Sequence, residues 1–357
     1  MKKKIFIVFG TRPEFLKLYN LIKLIKNDNK YVLRVINTSQ HSDLLTSHLK
    51  KLKVKIDYTN KQKKYNNMGD SSLHIGTFIN KLIAIEKPNL VIYQGDTLTA
   101  YLSSFYSNLL NVPSMHVEAG LRTYDYDNPW PEEGFRNSIK NFSTYHCAPT
   151  KISYNNLVNE KINTKYIKLT GNTIVDLLEY VIKKFSIKLN FKNIYDNYIY
   201  ITIHRRENFG KNLLNFCEIL TKLSQKYQHL NFIIPVHSNP NIKNIIYDKL
   251  SLINNIHLIE PLNYIENLKF IYNSLFVISD SGGIQEEVAS LNKKILIYRK
   301  ITERPEILQS YGKLVNQKNL IREFEIALNS NNINKVKNPF GDGNASKKIY
   351  FFVNNVV

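Results

Sequence analysis

Short, almost unbroken apolar runs alternate along the chain with longer stretches in which apolar residues recur every three or four positions. In the first half the runs are KIFIVFG, YVLRVINTS, NLVIYQGD, SMHVEAG, TYHCAPT and YIKLTGN, with helical patterns such as FLKLYNLIKLIK and TLTAYLSSFYSNLLN between them. Runs that are apolar on both faces suit parallel strands covered on both sides, and the amphipathic stretches supply the cover. The second half starts the rhythm again. YIYITIH, NFIIPVH, IHLIEP, LFVISD and KILIYR read as strands, and LLNFCEILTKLSQKY and SGGIQEEVASL as helices. Two successive α/β units, dividing in the turn-rich region after Asn172, predict two doubly wound, Rossmann-like domains facing a cleft.

Ligands of such sheets lie beyond the carboxyl ends of the strands. The segments that follow the predicted strands here are polar: GTRPE at 10–14, SQHSD at 39–43, QGDT at 94–97, HVEAGLRT at 116–123, HRRENFG at 204–210, PVHSNP at 235–240 and SDSGG at 279–283. Caps and turns explain one or two of these. They do not explain His, Arg and Glu at so many.

DSGGIQEE reads as strand, turn and helix, so the amides of Gly282, Gly283 and Ile284 fall at a helix N-terminus, where partial positive charge and donors suit an anion. A turn that merely joins strand to helix explains the same glycines. Glu286 and Glu287 are expected in the first turn, one as a charge favoured by the helix end and the other as a ribose ligand. In GTRPE, Arg12 tips a second strand-to-helix turn, with Pro13 at the first helical position, and Lys17 lies one turn on; both could reach an anion. The plainer reading pairs Arg12 with Glu14 on the surface. His204, Arg205 and Arg206 follow a buried strand, an unusual place for three basic groups without a compensating anion.

Carboxylates form the second set: Asp96, Glu118, Glu132 and Glu133. Acids that end neighbouring parallel strands point to one region and suit proton transfer. Asp96 also reads as the N-cap of a helix starting at Thr97. Glu118, after an apolar strand, needs a partner, and Arg122 is the nearest one in sequence.

Composition narrows the class. A chain of 357 residues exceeds the usual single core, and 43% hydrophobic residues with 23 Tyr and 18 Phe can fill two. The net charge of +20 comes from lysines scattered singly or in pairs among Asn, Ile and Tyr, with no basic helix or aromatic-studded strip, which argues against nucleic acid. A small anionic ligand remains compatible. Cys147 and Cys217 lack partners at metal-ligand spacing, so a reducing cytoplasm and no structural metal are expected. MKKKIFIVFG is too short and lacks the cleavage site of a signal peptide, and no run reaches the ~18–20 apolar residues of a membrane span.

GTRPE with Lys17, QGDT, HVEAGLRT, PWPEE, TGNT, HRRENFG, PVHSNP, DSGGIQEE and TERPE, in order from Gly10 to about Glu306, resemble the non-hydrolysing UDP-N-acetylglucosamine 2-epimerases of bacteria. The resemblance implies a GT-B architecture with an active site in the interdomain cleft. It divides the chain into residues 1–172, joined by a C-terminal helix at about 342–357, and residues 173–341. It also implies a cytoplasmic homodimer that converts UDP-N-acetylglucosamine reversibly to UDP-N-acetylmannosamine without metal or cofactor, for surface polysaccharide synthesis. The reaction proceeds by loss of UDP to a 2-acetamidoglucal and readdition. Asp96, Glu118, Glu132 and His204 match the family's catalytic residues. Arg12, Lys17, His204, Arg205, Ser281, Gly282, Gly283 and Glu287 match its substrate and UDP ligands.

Departures from the family pattern are local. KLYN replaces KMAP, and EEGFRN replaces EEANR. Gln40 and His41 keep part of the motif with which many members bind an activating second UDP-N-acetylglucosamine, but Asp43 stands where they have glutamine and Gly69-Asp70 replaces their later pair. Acids substitute poorly for amides beside a diphosphate, so activation is expected to be weak or absent. The alternatives are the same epimerisation on a modified UDP-sugar, a hydrolysing epimerase, which GTRPE disfavours, a glycosyltransferase, and a non-catalytic nucleotide-sugar sensor.

Overall fold

The computed structural model describes residues 2–40, 54–61, 67–185, 195–330 and 337–357. The chain divides into one unit of Met1–Leu177 with Phe340–Val357 and a second of Leu178–Pro339. In the first, β1 (Lys3–Phe9), β2 (Tyr31–Asn37), β3 (Tyr58–Thr59), β4 (Leu90–Gln94), β5 (Ser114–Val117), β6 (Tyr145–Ala148) and β7 (Ile167–Leu169) form a sheet of order β3-β2-β1-β4-β5-β6-β7. All its pairs are parallel. The crossovers carry α1 (Arg12–Lys26), α2 (Met68–Glu86), α3 (Leu98–Leu109), α4 (Glu132–Phe142) and α5 (Lys151–Asn159). Phe6, Val8, Val91 and Tyr93 bury against Ile75, Ile79, Leu98 and Leu102, while Phe9 meets Phe15 of α1 at 5.2 Å.

The second unit has β8 (Tyr198–Thr202), β9 (Asn231–Pro235), β10 (Ile256–Ile259), β11 (Val277–Ser279), β12 (Ile295–Tyr298) and β13 (Gly312–Val315), again all parallel, in the order β10-β9-β8-β11-β12-β13. Its core joins Ile199, Ile201, Phe232, Ile234 and Ile278 to Phe216, Leu220 and Phe324. The eleven apolar runs read from the sequence are all strands. The two added strands, YT and the exposed-sided GKLV, are too short and polar to stand out as such.

Each sheet starts at a middle strand, runs outward on one side, then returns to the other side of its starting strand. The order therefore reverses between β1 and β4, and again between β8 and β11. Crevices at such reversals, beyond the carboxyl ends of the strands, are where doubly wound sheets bind ligands.

After α6 (Thr173–Phe185) and the second unit, with its helices α7 (Lys211–Lys226), α8 (Pro240–Leu250), α9 (Tyr264–Asn273), α10 (Gly282–Ser290) and α11 (Leu320–Asn329), the chain ends in α12 (Ala345–Val356). This last helix belongs to the first unit and packs on α1. Buried Asp176 caps it, accepting from Ala345 N (3.0 Å) and Ser346 N (2.6 Å). Tyr31 and Tyr350 add hydroxyl bonds to Asn354 and Asp28, each of 2.6 Å.

His116 and His146 face each other in register on β5 and β6, both almost fully buried. Burial disfavours the imidazolium and lowers the His116 pKa to about 4, with the carbonyl of Gly95, 2.7 Å from Nε2, opposing. His146 shifts the same way, again through burial first. The unfolded chain therefore binds protons that the fold excludes. The His116 contribution to stability is full above about pH 6.5 and falls as pH drops towards 4, by roughly 3 kcal/mol, while buried Glu14, its pKa raised to about 7, contributes the opposite slope over much of the same range. Denaturant unfolding of the parent and of His116→Gln, which keeps an amide donor for Gly95, is expected to differ by the His116 slope across that range. An unchanged slope in the variant counts against the assignment.

Candidate functional site

At the first reversal three polar segments meet the strand ends. Thr11 caps α1, and Glu14 closes the capping box by accepting from the main-chain N–H of Thr11 (2.8 Å). Arg12 is the first helical residue, which moves Pro13 to the second position. One turn on, the Lys17 ammonium donates to both oxygens of Glu118 (2.8 and 2.7 Å), with both residues buried. Gln94, the last residue of β4, donates its amide to the same carboxylate. Glu118 holds the left-handed backbone, φ 69°, which a side chain adopts at a cost of about 1–3 kcal/mol. The turn after β5 is thus shaped to present a carboxylate that already has a cation and an amide on it.

Asp96 lies half-buried after β4 and accepts from Arg136 Nε at 2.8 Å. The Arg136 Nη1 donates to Glu133 at 2.7 Å, and Glu133, fully buried, accepts from the N–H groups of Thr123 and Tyr124. Arg136 so ties Asp96 to the segment that leads into α4. Glu132, the first residue of α4, is half-buried, whereas its neighbour Glu133 is the structural member of the pair.

At the second reversal, Asp280 is fully buried and gathers the turn after β8. Its carboxylate accepts from His204 N, Arg205 N (2.8 Å) and Asn208 Nδ2 (2.9 Å), and its Oδ1 lies 3.3 Å from His204 Nδ1. Burial lowers the His204 pKa, Asp280 opposing it. His237 lies alongside, with ring centroids 5.9 Å apart.

Ser281 caps α10 by position, yet its side chain makes no capping hydrogen bond. Beneath this helix start runs a buried charge network. Arg304 donates to Glu286 and Glu303 at 2.5 Å each, and Arg299 donates to Glu207 (2.9 Å) and Glu303 (2.7 Å). Arg205 approaches Glu303 at 3.5 Å. The two glycines differ. A Cβ on Gly282 would fall 2.7 Å from Arg304 Nη1 and 2.8 Å from Glu303 Oε1, whereas one on Gly283 would meet only Ser281 Oγ at 4.0 Å. Gly282 makes room for the protein's own charges, and Gly283 is the open position.

Several sequence expectations change. Glu118 pairs with Lys17, while Arg122 turns to Glu160 (2.8 and 2.7 Å). Glu14 is buried and faces amides and a hydroxyl, so it is not a surface partner of Arg12. Thr97, not Asp96, caps α3. Glu286 and Glu287 fall beyond the first turn of α10, and Glu286 is a buried partner of Arg304 rather than a helix-end charge. His204 faces Asp280 and Arg205 approaches Glu303, acids of the protein itself.

The first unit brings Lys17, Asp96 and Glu118 to neighbouring strand ends, with Arg12 beginning α1 and Glu132 beginning α4. The second brings His204, Arg205, Ser281, Gly282 and Gly283 to its own reversal, with buried Glu287 further along α10. Arg136, Asp280, Glu303 and Arg304 were not singled out in the sequence. For Arg136 the clue was its place three residues after Glu133, one helical turn on. Gln40 accepts from the N–H and hydroxyl of Thr99 (3.0 and 2.8 Å) at the start of α3, and Asp70 is engaged with Asn67 at the start of α2. His41 lies outside the described residues. Among the described residues no group of three or more His, Cys, Asp or Glu side chains could hold a metal ion, and no helix is long and apolar enough to cross a membrane.

Two all-parallel sheets of this order, each with polar residues gathered at its reversal, define an α/β protein of the GT-B class, built from two Rossmann-like units. The UDP-N-acetylglucosamine 2-epimerase family model matches residues 23–354. The UDP-N-acetylglucosamine 2-epimerase of Campylobacter jejuni is 40% identical, over 98% of this chain and 97% of its own. That of Neisseria meningitidis is 38% identical over 97% and 98%. Among solved structures, the Neisseria meningitidis UDP-GlcNAc 2-epimerase bound to UDP-GlcNAc has a TM-score of 0.92 at 36% identity, covering 99% of this chain and 100% of its own. The Methanocaldococcus jannaschii enzyme in complex with UDP-GlcNAc and UDP has a TM-score of 0.88 at 32% identity, covering 99% of both chains. This chain belongs to the UDP-N-acetylglucosamine 2-epimerase family.

The different surroundings of the two glycines have opposite consequences. Gly282→Ala forces the Arg304–Glu303 pair apart and is expected to destabilise the second unit by about 1–3 kcal/mol in chemical denaturation. Gly283→Ala has space and a helical position, so stability is expected to hold or rise by up to ~1 kcal/mol. Equal losses in the two variants contradict this division.

Proposed function

We propose that this protein interconverts UDP-N-acetylglucosamine and UDP-N-acetylmannosamine by elimination and readdition, without releasing the free sugar. The observation that carries the reading is the set of groups at each sheet's reversal: carboxylates in the first unit and, in the second, an uncapped, glycine-started helix beside a histidine and an arginine.

The hydrogen on C2 of a pyranose has no neighbouring carbonyl to make it acidic. Breaking the C1–O bond to UDP while a base takes that hydrogen forms the C1–C2 double bond of 2-acetamidoglucal, and the bonding electrons leave with the diphosphate. Protonation of C2 from the other face, with attack of the same diphosphate oxygen on C1, gives the epimer, so atoms and charge balance. The route needs acid–base groups on both faces of the sugar and stabilisation of the departing diphosphate.

Asp96, Glu118 and Glu132 supply the acid–base groups. His204 joins them, its ring held beside Asp280, to take or give a proton at the leaving oxygen. Arg12, Lys17, Arg205, Ser281 and the amides of Gly282 and Gly283 meet the diphosphate, and Glu287 accepts from the ribose hydroxyls. Lys17, already on Glu118, couples the charge of that acid to the charge of the leaving group. GTRPE at the first turn supports retention of the sugar on the nucleotide. A homodimer and a role in surface polysaccharide synthesis belong to the same proposal and rest on the motif resemblance.

Incubation with UDP-N-acetylglucosamine in D2O is expected to yield UDP-N-acetylmannosamine carrying deuterium at C2. An unaltered nucleotide sugar rejects the substrate, and free N-acetylmannosamine with UDP rejects the non-hydrolysing course. Asp96→Asn is expected to abolish exchange while UDP still binds, since Asp96 is half-exposed and its loss leaves Arg136 on Glu133. Glu118→Gln is expected to abolish exchange too, but also to lower stability by about 3–5 kcal/mol, because it breaks the buried Lys17–Glu118 ion pair. Initial rates are expected to rise hyperbolically with UDP-N-acetylglucosamine, Gln40 being engaged by Thr99 and Asp70 by Asn67. Sigmoidal kinetics contradict the predicted loss of activation.

A further inference from the structure

Glu14 is a buried acid to which the reaction above gives no role. Its Oε2 accepts from the N–H groups of Gly10 (3.0 Å) and Thr11 (2.8 Å), and its Oε1 accepts from the Thr97 hydroxyl (2.6 Å). The residue is 1% exposed. A capping box accounts for the bond to Thr11 and operates equally well at a helix start open to water. It does not account for the burial of the carboxylate, which raises its pKa to about 7, nor for a bond to a hydroxyl 83 residues away.

Thr97 stands next to Asp96 and caps α3, its oxygen accepting from Ala100 N at 3.1 Å. The Thr97 hydroxyl therefore receives from Ala100 and gives to Glu14, which fixes its orientation. A second seam lies beside the first. A Cβ on Gly10 would fall 2.2 Å from Thr99 Oγ1 and 2.3 Å from Thr38 Oγ1, and these two hydroxyls bond each other at 2.7 Å. The turn that carries Arg12 and the turn that carries Asp96 are thus pressed together at the reversal of the sheet, and Glu14 is the side chain that bonds to both.

We propose that Glu14 is a positioning residue, which through Thr97 fixes the turn bearing Asp96 against the turn bearing Arg12. The inference rests on the reading of Asp96 as an acid–base residue. The two oxygens divide the work: Oε2 shapes the turn of Arg12, and Oε1 sets the turn of Asp96.

Glu14→Gln separates the two. The amide oxygen still accepts from Gly10 and Thr11 and the Thr97–Ala100 cap is untouched, but the Thr97 hydroxyl loses its acceptor, and the NH2 group reaches Thr97 only by donating to the second lone pair of a hydroxyl turned away. The expected result is a fall in kcat on the order of 10–100-fold, with KM for UDP-N-acetylglucosamine within about threefold of the parent. Thr97→Val is expected to do the same, Thr97→Ser to restore most of the rate, and the double variant Glu14→Gln, Thr97→Val to be no slower than the slower single one. A wild-type kcat in Glu14→Gln, or losses that multiply in the double variant, overturns the proposal. Amide hydrogen exchange of residues 96–100 in Glu14→Gln separates this from the substrate assignment, because it needs no turnover. Faster exchange there supports the clamp even if the parent fails to convert UDP-N-acetylglucosamine, and unchanged exchange overturns it.

Discussion

Charge taken out of water must be met by opposite charge or by hydrogen-bond donors, and that constraint orders the strand ends of both units. Lys17 answers Glu118, Arg136 answers Asp96 and Glu133 together, main-chain amides answer Asp280 and Glu14, and Arg304 answers Glu286 and Glu303. The Lys17–Glu118, Arg136–Asp96, Asp280–Arg205 and Arg304–Glu286 contacts join segments distant in sequence. Satisfying the charges therefore fixes where the turns sit, and the chemistry proposed for them inherits that placement.

The strands were legible because a parallel strand buried on both faces has to be apolar throughout, and eleven such runs stand in the sequence. The polar strand ends were legible for a complementary reason: basic and acidic residues after such runs have few structural explanations. Partners were not legible. The nearest cation to Glu118 in sequence is Arg122, but the one that reaches it comes from α1, 101 residues away, because β1, β4 and β5 are neighbours in the sheet. Adjacent Glu132 and Glu133 look alike on paper, and a helix points successive residues about 100° apart, so one lies half-buried while the other is sealed inside.

DSGGIQEE shows how one motif mixes both kinds of information. Its second glycine is open, as an anion seat requires, while its first is there for the guanidinium of Arg304 packed beneath the helix. Glu286, written beside Glu287, pairs with Arg304 beneath the helix start. A motif can therefore mix residues that serve its own packing with residues that stay open.

The placement of α12 bears on how the molecule is made. The second unit is a single continuous segment, whereas the first is assembled from pieces on either side of it. During synthesis on the ribosome the sheet of the first unit emerges early, but the flank of α1 that α12 covers, and the amide partners of the Asp176 carboxylate, arrive only after the whole second unit has been translated. For that interval an apolar flank and a buried-to-be acid stay exposed to chaperones and proteases. Vectorial folding thus favours early completion of the second unit, with closure of the first as the final event of biogenesis.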